Sequence, residues 1–214
     1  MAVKAVSVWR KKAMGEKQVF QTLTRGDRIT VVLYRVGIVL STVFIAGLAF
    51  LLRTASSNSS TVLVSPLADI LAYGLYVSVG MSVLFIHLYV GQFKRYLKNL
   101  YFISLGCLVA LFVIGKGSLS GVLVHQPYSL LLLLPLSGCL GFVTAKEAFC
   151  FQLFEGYLLA MIMPLYLLLV SSSSISGSGA SYGMILIAVM LAIFTLRKVF
   201  MPLAYDIGDK SAYR

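Results

Sequence analysis

Six apolar runs, nearly free of charge, recur along this chain, with most of the polar residues gathered between them or at their ends. They cover residues 36–52, 66–89, 99–114, 128–145, 149–170 and 182–200, the first entered from Ile29 with Tyr34 and Arg35 at headgroup depth. Each is about 15 to 24 residues long, close to the roughly 20 needed to cross the hydrocarbon core. Lipid cannot satisfy an open backbone, so each run reads as a helix. The pattern predicts an all-α fold: a polytopic transmembrane helix bundle of about six spans. Pro66 suits a helix start, where its missing N–H costs nothing, and Pro202 stops the last helix. The serine- and glycine-rich stretch 171–179 reads as a flexible connector. Pro135 and Pro164 fall near mid-membrane depth in the fourth and fifth runs. Packing kinks are the favoured reading and a pair of broken helices around a midplane site the alternative, since no ionisable residue accompanies either proline.

Composition agrees with lipid as the solvent. Hydrophobic residues make up 59% and charged residues 12%, and mean hydropathy is +0.94, which excludes an ordinary water-soluble domain. Charge then orients the bundle. Of the eighteen Lys and Arg, all but Arg53 and Lys116 fall on the side that six spans assign to both termini. By the positive-inside rule that side is the cytoplasm, or the stroma of a plastid. The expected organisation is a basic N-terminal arm over 1–28, a transmembrane domain over 29–200 and a cytoplasmic tail over 201–214. The apolar run begins too late for a secretory signal. Trp9, Val19, Phe20 and Leu23 within the basic arm suggest a helix lying on anionic lipid, with a disordered basic tail as the alternative. The expected partners are the bilayer itself, anionic lipid at the arm and a larger membrane complex, with no nucleic acid. Cys107, Cys139 and Cys150 have no CxxC spacing and read as small hydrophobes.

Polar residues collect at the cytoplasmic interface. His87 ends the second run, followed by Lys94, Arg95 and Lys98; Lys146, Glu147, Cys150 and Glu155 lie between the fourth and fifth; Arg197, Lys198, Asp206 and Asp209 close the chain. If 146–155 is helical, Glu147 and Cys150 share a face and Glu155 lies about 80° around from Glu147. The favoured reading pairs Glu147 and Glu155 with Lys94, Arg95, Lys98 or Arg197, clamping helix ends together. The alternatives are a metal site built from His87, Cys150 and the two carboxylates, or an acid/base pair. Both lack a recognised spacing or a nucleophile. A lone His at a helix end is more often an interface residue than a ligand of a pigment or metal. His125 reads as a loop residue. The pairs Ser137/Gly141 and Gly74/Ser78 have the small-xxx-small spacing of close helix contacts.

The segments Tyr34-Arg35, Ile86-His87-Leu88-Tyr89, Lys94 to Lys98, Lys146-Glu147-Ala148-Phe149-Cys150-Phe151 with Glu155, Leu196-Arg197-Lys198 and Asp206-Ile207-Gly208-Asp209-Lys210-Ser211 resemble one family. It is an uncharacterised integral membrane family of cyanobacteria and photosynthetic plastids, and the resemblance covers about residues 22–211. It implies a plasma, thylakoid or envelope membrane and no activity or cofactor. Relatives carry a Gly-His pair after the fifth helix where this chain has Val170-Ser171, so a luminal site using that histidine is not expected here.

The leading expectation is a non-catalytic scaffold or assembly protein that docks through its basic cytoplasmic face. A small-solute transporter or channel is the alternative, followed by an interfacial enzyme using Glu147, Glu155 and His87. No catalytic residue, metal site or cofactor is assigned.

Overall fold

A computed structural model describes residues 25–58, 65–88 and 91–202. The amphipathic-arm expectation at residues 1–24 and the candidates Asp206 and Asp209 therefore lie outside the described residues. The described chain is helical, in the order α1 (Arg25–Asn58), α2 (Pro66–Phe85), α3 (Gly91–Ile114), α4 (Leu119–His125), α5 (Leu134–Phe151), α6 (Phe154–Ser171) and α7 (Gly177–Val199), with a 3₁₀ stretch, Pro127–Leu133, running into α5. Six of these segments are long and apolar enough to cross a membrane, the 3₁₀ stretch and α5 forming one of them.

The boundaries differ from the apolar runs wherever polar residues are themselves helical. α2 stops at Phe85, with Ile86 extended, rather than reaching Tyr89. α3 starts at Gly91, so Lys94, Arg95 and Lys98 form its opening turns and not a connecting turn. Lys, Arg, Gln and Leu are good helix formers, which a count of charge-free positions overlooks. Gly177 to Gly179 likewise belong to α7, because the Ser176 hydroxyl accepts from the Gly179 N–H at 3.2 Å and caps the helix. Ser118 does the same for the unanticipated α4, accepting from Gly121 at 3.2 Å, and that helix runs to His125, which is therefore helical and not a loop residue.

The two prolines part company. Pro135 opens α5 at the end of the 3₁₀ stretch, so it kinks nothing. Pro164 lies inside α6, where it cannot donate to the carbonyl of Ala160. A Cβ on Gly141 of α5 would sit 3.3 Å from Ala160 Cα and 3.4 Å from that carbonyl oxygen. The small residues thus bring α5 and α6 together where the α6 ladder is broken.

Packing runs in a circuit. α1 lies against α2 and α5 against α6 over the most extensive surfaces, with α1 also against α7, α7 against α6, and α5 returning to α2. α3 packs on the outside of this ring, against α5 and α2. It is the least enclosed span, with 17% of its membrane window buried against 39% for α1, α2 and α7. Hydroxyl pairs tie the ring in its interior: Ser41 with Ser78 at 2.9 Å between α1 and α2, and Thr42 with Thr195 at 2.7 Å between α1 and α7. In the half of the ring away from the basic residues lies a largely apolar cavity of about 240 Å³, roofed by α4.

Candidate functional site

At the basic end the ring is closed by one carboxylate. Glu147, in the last turns of α5, is fully buried. Its Oε1 accepts from the Tyr34 hydroxyl of α1 at 2.7 Å and from Lys146 Nζ at 2.6 Å. Its Oε2 accepts from Lys198 Nζ of α7. Tyr34 and Lys198 are each 1% exposed, so the network joining α1, α5 and α7 is essentially out of solvent. Aromatic faces complete the cage: Lys198 Nζ stands 4.2 Å from the Phe151 ring centroid, and Lys146 Nζ 5.6 Å from that of Tyr34. A carboxylate near a helix C-terminus opposes the helix dipole, and the two ammonium groups offset that cost. Lys198 itself gains from lying in the last turn of α7.

Arg35 is buried too, contrary to the expectation that it snorkels toward headgroups. Its guanidinium donates to the carbonyls of Val199 at 3.2 Å, Met201 at 2.6 Å and Pro202 at 3.1 Å. These are carbonyls that the end of α7 leaves without intrahelical donors, so Arg35 caps that helix from α1.

The segment from Lys146 to Glu155 is not one helix. Gln152 takes a left-handed conformation, φ 53° and ψ 40°, ending α5 and letting α6 begin two residues later. Glu155 therefore lies on a different helix from Glu147, and the expected 80° relation does not exist. A Cβ on Gly156 would meet the Thr144 carbonyl at 2.5 Å, so only glycine lets the first turn of α6 press this closely on α5. Glu155 pairs with Arg197 of α7 at the surface, where the two side chains are 25% and 51% exposed.

The favoured pairing is thus redrawn. Glu155 does take Arg197, but Glu147 takes Lys146 and Lys198, while Lys94, Arg95 and Lys98 form no ion pair among the described residues. The Nε2 of His87 lies 3.3 Å from the Thr30 hydroxyl of α1. Cys150 is exposed on α5. Among the described residues no three His, Cys, Asp or Glu side chains gather as metal ligands, so the proposed His87–Cys150–carboxylate set is not assembled. The partners seen here differ, Tyr34, Lys146 and Lys198 for Glu147, Arg197 for Glu155 and the Thr30 hydroxyl for His87, whereas an interfacial acid/base mechanism needs the three groups within reach of one pocket. The sequence reading missed Tyr34 as a donor to the buried carboxylate, and Arg35 as a cap. The adjacent pair of a hydroxyl and a cation at the entry of the first span was the available signal.

The fold and this interior charge network define a polytopic helical integral membrane protein. Residues 81–214, well over half of the chain, match the family described as uncharacterized integral membrane protein (DUF2301), and the chain belongs to that family. The matched region holds His87, both carboxylates and the Lys146–Phe151 segment, while Tyr34 and Arg35 lie before it. Comparisons with curated proteins and with solved structures find no match.

Proposed function

We propose that this protein is a non-catalytic accessory or scaffold protein that docks another membrane complex through the basic-aromatic entry of α3. The observation that carries this reading is the division of labour among the cations. Lys146 and Lys198 are committed to Glu147, Arg197 to Glu155 and Arg35 to backbone carbonyls. Lys94, Arg95 and Lys98 form no ion pair among the described residues and lie beside Phe93 at 54% and Tyr96 at 60% exposure. Such cations next to exposed aromatics on the least enclosed span suit an acidic partner surface at the membrane interface. The positive-inside rule supports a cytoplasmic or stromal placement of this face, and the resemblance to photosynthetic relatives supports a cyanobacterial or plastid membrane. Residues 1–28 would add attraction to anionic lipid.

The test is co-purification in gentle detergent of wild type and of a variant with Lys94, Arg95 and Lys98 all changed to Gln. Loss of a stoichiometric partner, with an unchanged elution profile for the protein itself, supports docking. The same loss is expected when wild type is washed in about 1 M salt, where the Debye length falls to roughly 3 Å. An unchanged partner in both arms rejects it. A small-solute transporter is the second reading. The cavity inside the helix ring favours it, although the largely apolar lining offers no acidic or basic side chain to a polar solute.

A further inference from the structure

The cavity inside the helix ring lies in the half of the bundle away from the basic end. Ile45 and Leu52 of α1, Leu75 of α2, Leu140 of α5 and Met163 of α6 wall it, and α4 covers it. At about 240 Å³ it has the liquid volume of roughly eight waters. Each water would need two to four polar partners, and this lining cannot supply them, so water is a poor filling. Hydrocarbon suits these walls, and the surrounding bilayer consists of it.

Four lining residues bear hydroxyls, and those of Ser137 and Tyr166 donate to the carbonyls of Leu134 at 2.9 Å and Ala180 at 3.0 Å. Tyr76 is 2% exposed and Ser120 8% exposed, and the hydroxyls of these two are buried without a hydrogen-bond partner among the described residues. A buried hydroxyl left unsatisfied is costly, and such groups in native proteins call for an explanation. Each hydroxyl can both donate and accept, and an acceptor oxygen would take the proton that each now leaves undonated. Depth narrows the chemistry further. The backbone N–H of Ser120 donates to Asp69 Oδ1 at 2.6 Å, and Asp69 lies in the first turn of α2. Ser120 is therefore held at the mouth of a span, level with the membrane interface, and Tyr76 lies two turns further along α2, about 10 Å deeper by helix rise.

We propose that this cavity binds a hydrocarbon chain bearing a carbonyl oxygen, drawn from the bilayer, with the chain against the aliphatic walls and the oxygen accepting from Ser120 or Tyr76. Such chemistry has two sources, the esterified acyl chain of a membrane lipid or a free lipid-soluble carbonyl compound.

The full-length protein, reconstituted in vesicles, tests this with two photoactivatable probes. One is a phosphatidylcholine with a diazirine on an acyl chain, the other a long-chain ketone with the same group. Labelled peptides are mapped by mass spectrometry, with labelling around Val109 and Val113, on the exposed face of α3, reporting ordinary lipid contact and intact insertion. Wild type should be labelled around Ile45–Leu52 and Leu133–Leu140 by one of the probes, and that probe identifies the source. Ala72→Phe, which fills the cavity from α2, should abolish this labelling and leave the α3 labelling intact. Leu123→Phe, filling it from α4, serves if Ala72→Phe fails to insert. Ser120→Ala or Tyr76→Phe should lower the apparent affinity roughly fivefold, the worth of one hydrogen bond. Cavity peptides labelled no more than the α3 face by either probe, or labelled equally in a folded cavity-filled variant, would overturn the proposal. Equal affinity in both hydroxyl variants would refute the carbonyl contact.

Discussion

Replacing Glu147 by Ala removes an acidic group that pairs with Lys198 in the interior. Because Glu147 and Lys198 are 0% and 1% exposed, neither can be rehydrated without opening the junction of α1, α5 and α7. Breaking a pair this deeply buried costs about 3–5 kcal/mol, most of it the uncompensated charge left behind. Lys146 contributes less to that figure, since its side chain is already 10% exposed and can swing toward the interface. At about 2–4 °C per kcal/mol for a chain of this size, the apparent Tm should fall by about 6–20 °C. The assay is thermal unfolding in detergent, followed by size-exclusion with fluorescence detection. Changing Glu147 to Leu and Lys198 to Met together removes both charges, and most of the loss should be recovered, because an apolar replacement of a buried pair is near neutral. An unchanged Tm in Glu147→Ala, or a double variant no better than the single, would refute the view of this network as a structural clamp.

Other consequences can be measured with similar preparations. Arg197→Gln should shift stability by no more than about 1 kcal/mol, because its pair with Glu155 is largely in solvent. Arg35→Leu leaves three carbonyls at the end of α7 without their donor, and amide exchange over residues 196–202 should speed up while the α1–α2 interface stays protected. Gly156→Leu forces a side chain onto the Thr144 carbonyl and should cost about 1–3 kcal/mol or more, read as lowered Tm and yield.

The spans were legible because lipid imposes a long apolar run on any segment that crosses it, and the six runs and the six helices correspond one to one. What apolarity cannot register is where helices begin and end. The cation-rich start of α3 and the Gly-Ser start of α7 are helical for reasons of propensity and capping, and the break at Gln152 turns on a single left-handed residue. The site was legible as a set of residues but not as a set of pairs. Glu147 and Lys198 are 51 positions apart and meet only because α1, α5 and α7 converge. The sequence offered Lys94, Arg95, Lys98 or Arg197 as partners of the two carboxylates, since all lie at the same interface. The packing of α3 outside the ring keeps the first three apart from Glu147. Tyr34 and Arg35 looked like interface residues, since nothing local reveals that the end of α7 comes to rest beside them.

Docking through the α3 entry is the central claim, and photo-crosslinking from one helix tests it most directly. A photoreactive amino acid replaces Tyr96 at the basic end of α3, or Val113 near its other end, both exposed in the protein. The account predicts a discrete protein adduct from position 96 that disappears when Lys94, Arg95 and Lys98 are neutralised, and lipid adducts alone from position 113. The same adducts from both positions, or a protein adduct at 96 that survives neutralisation, would contradict it.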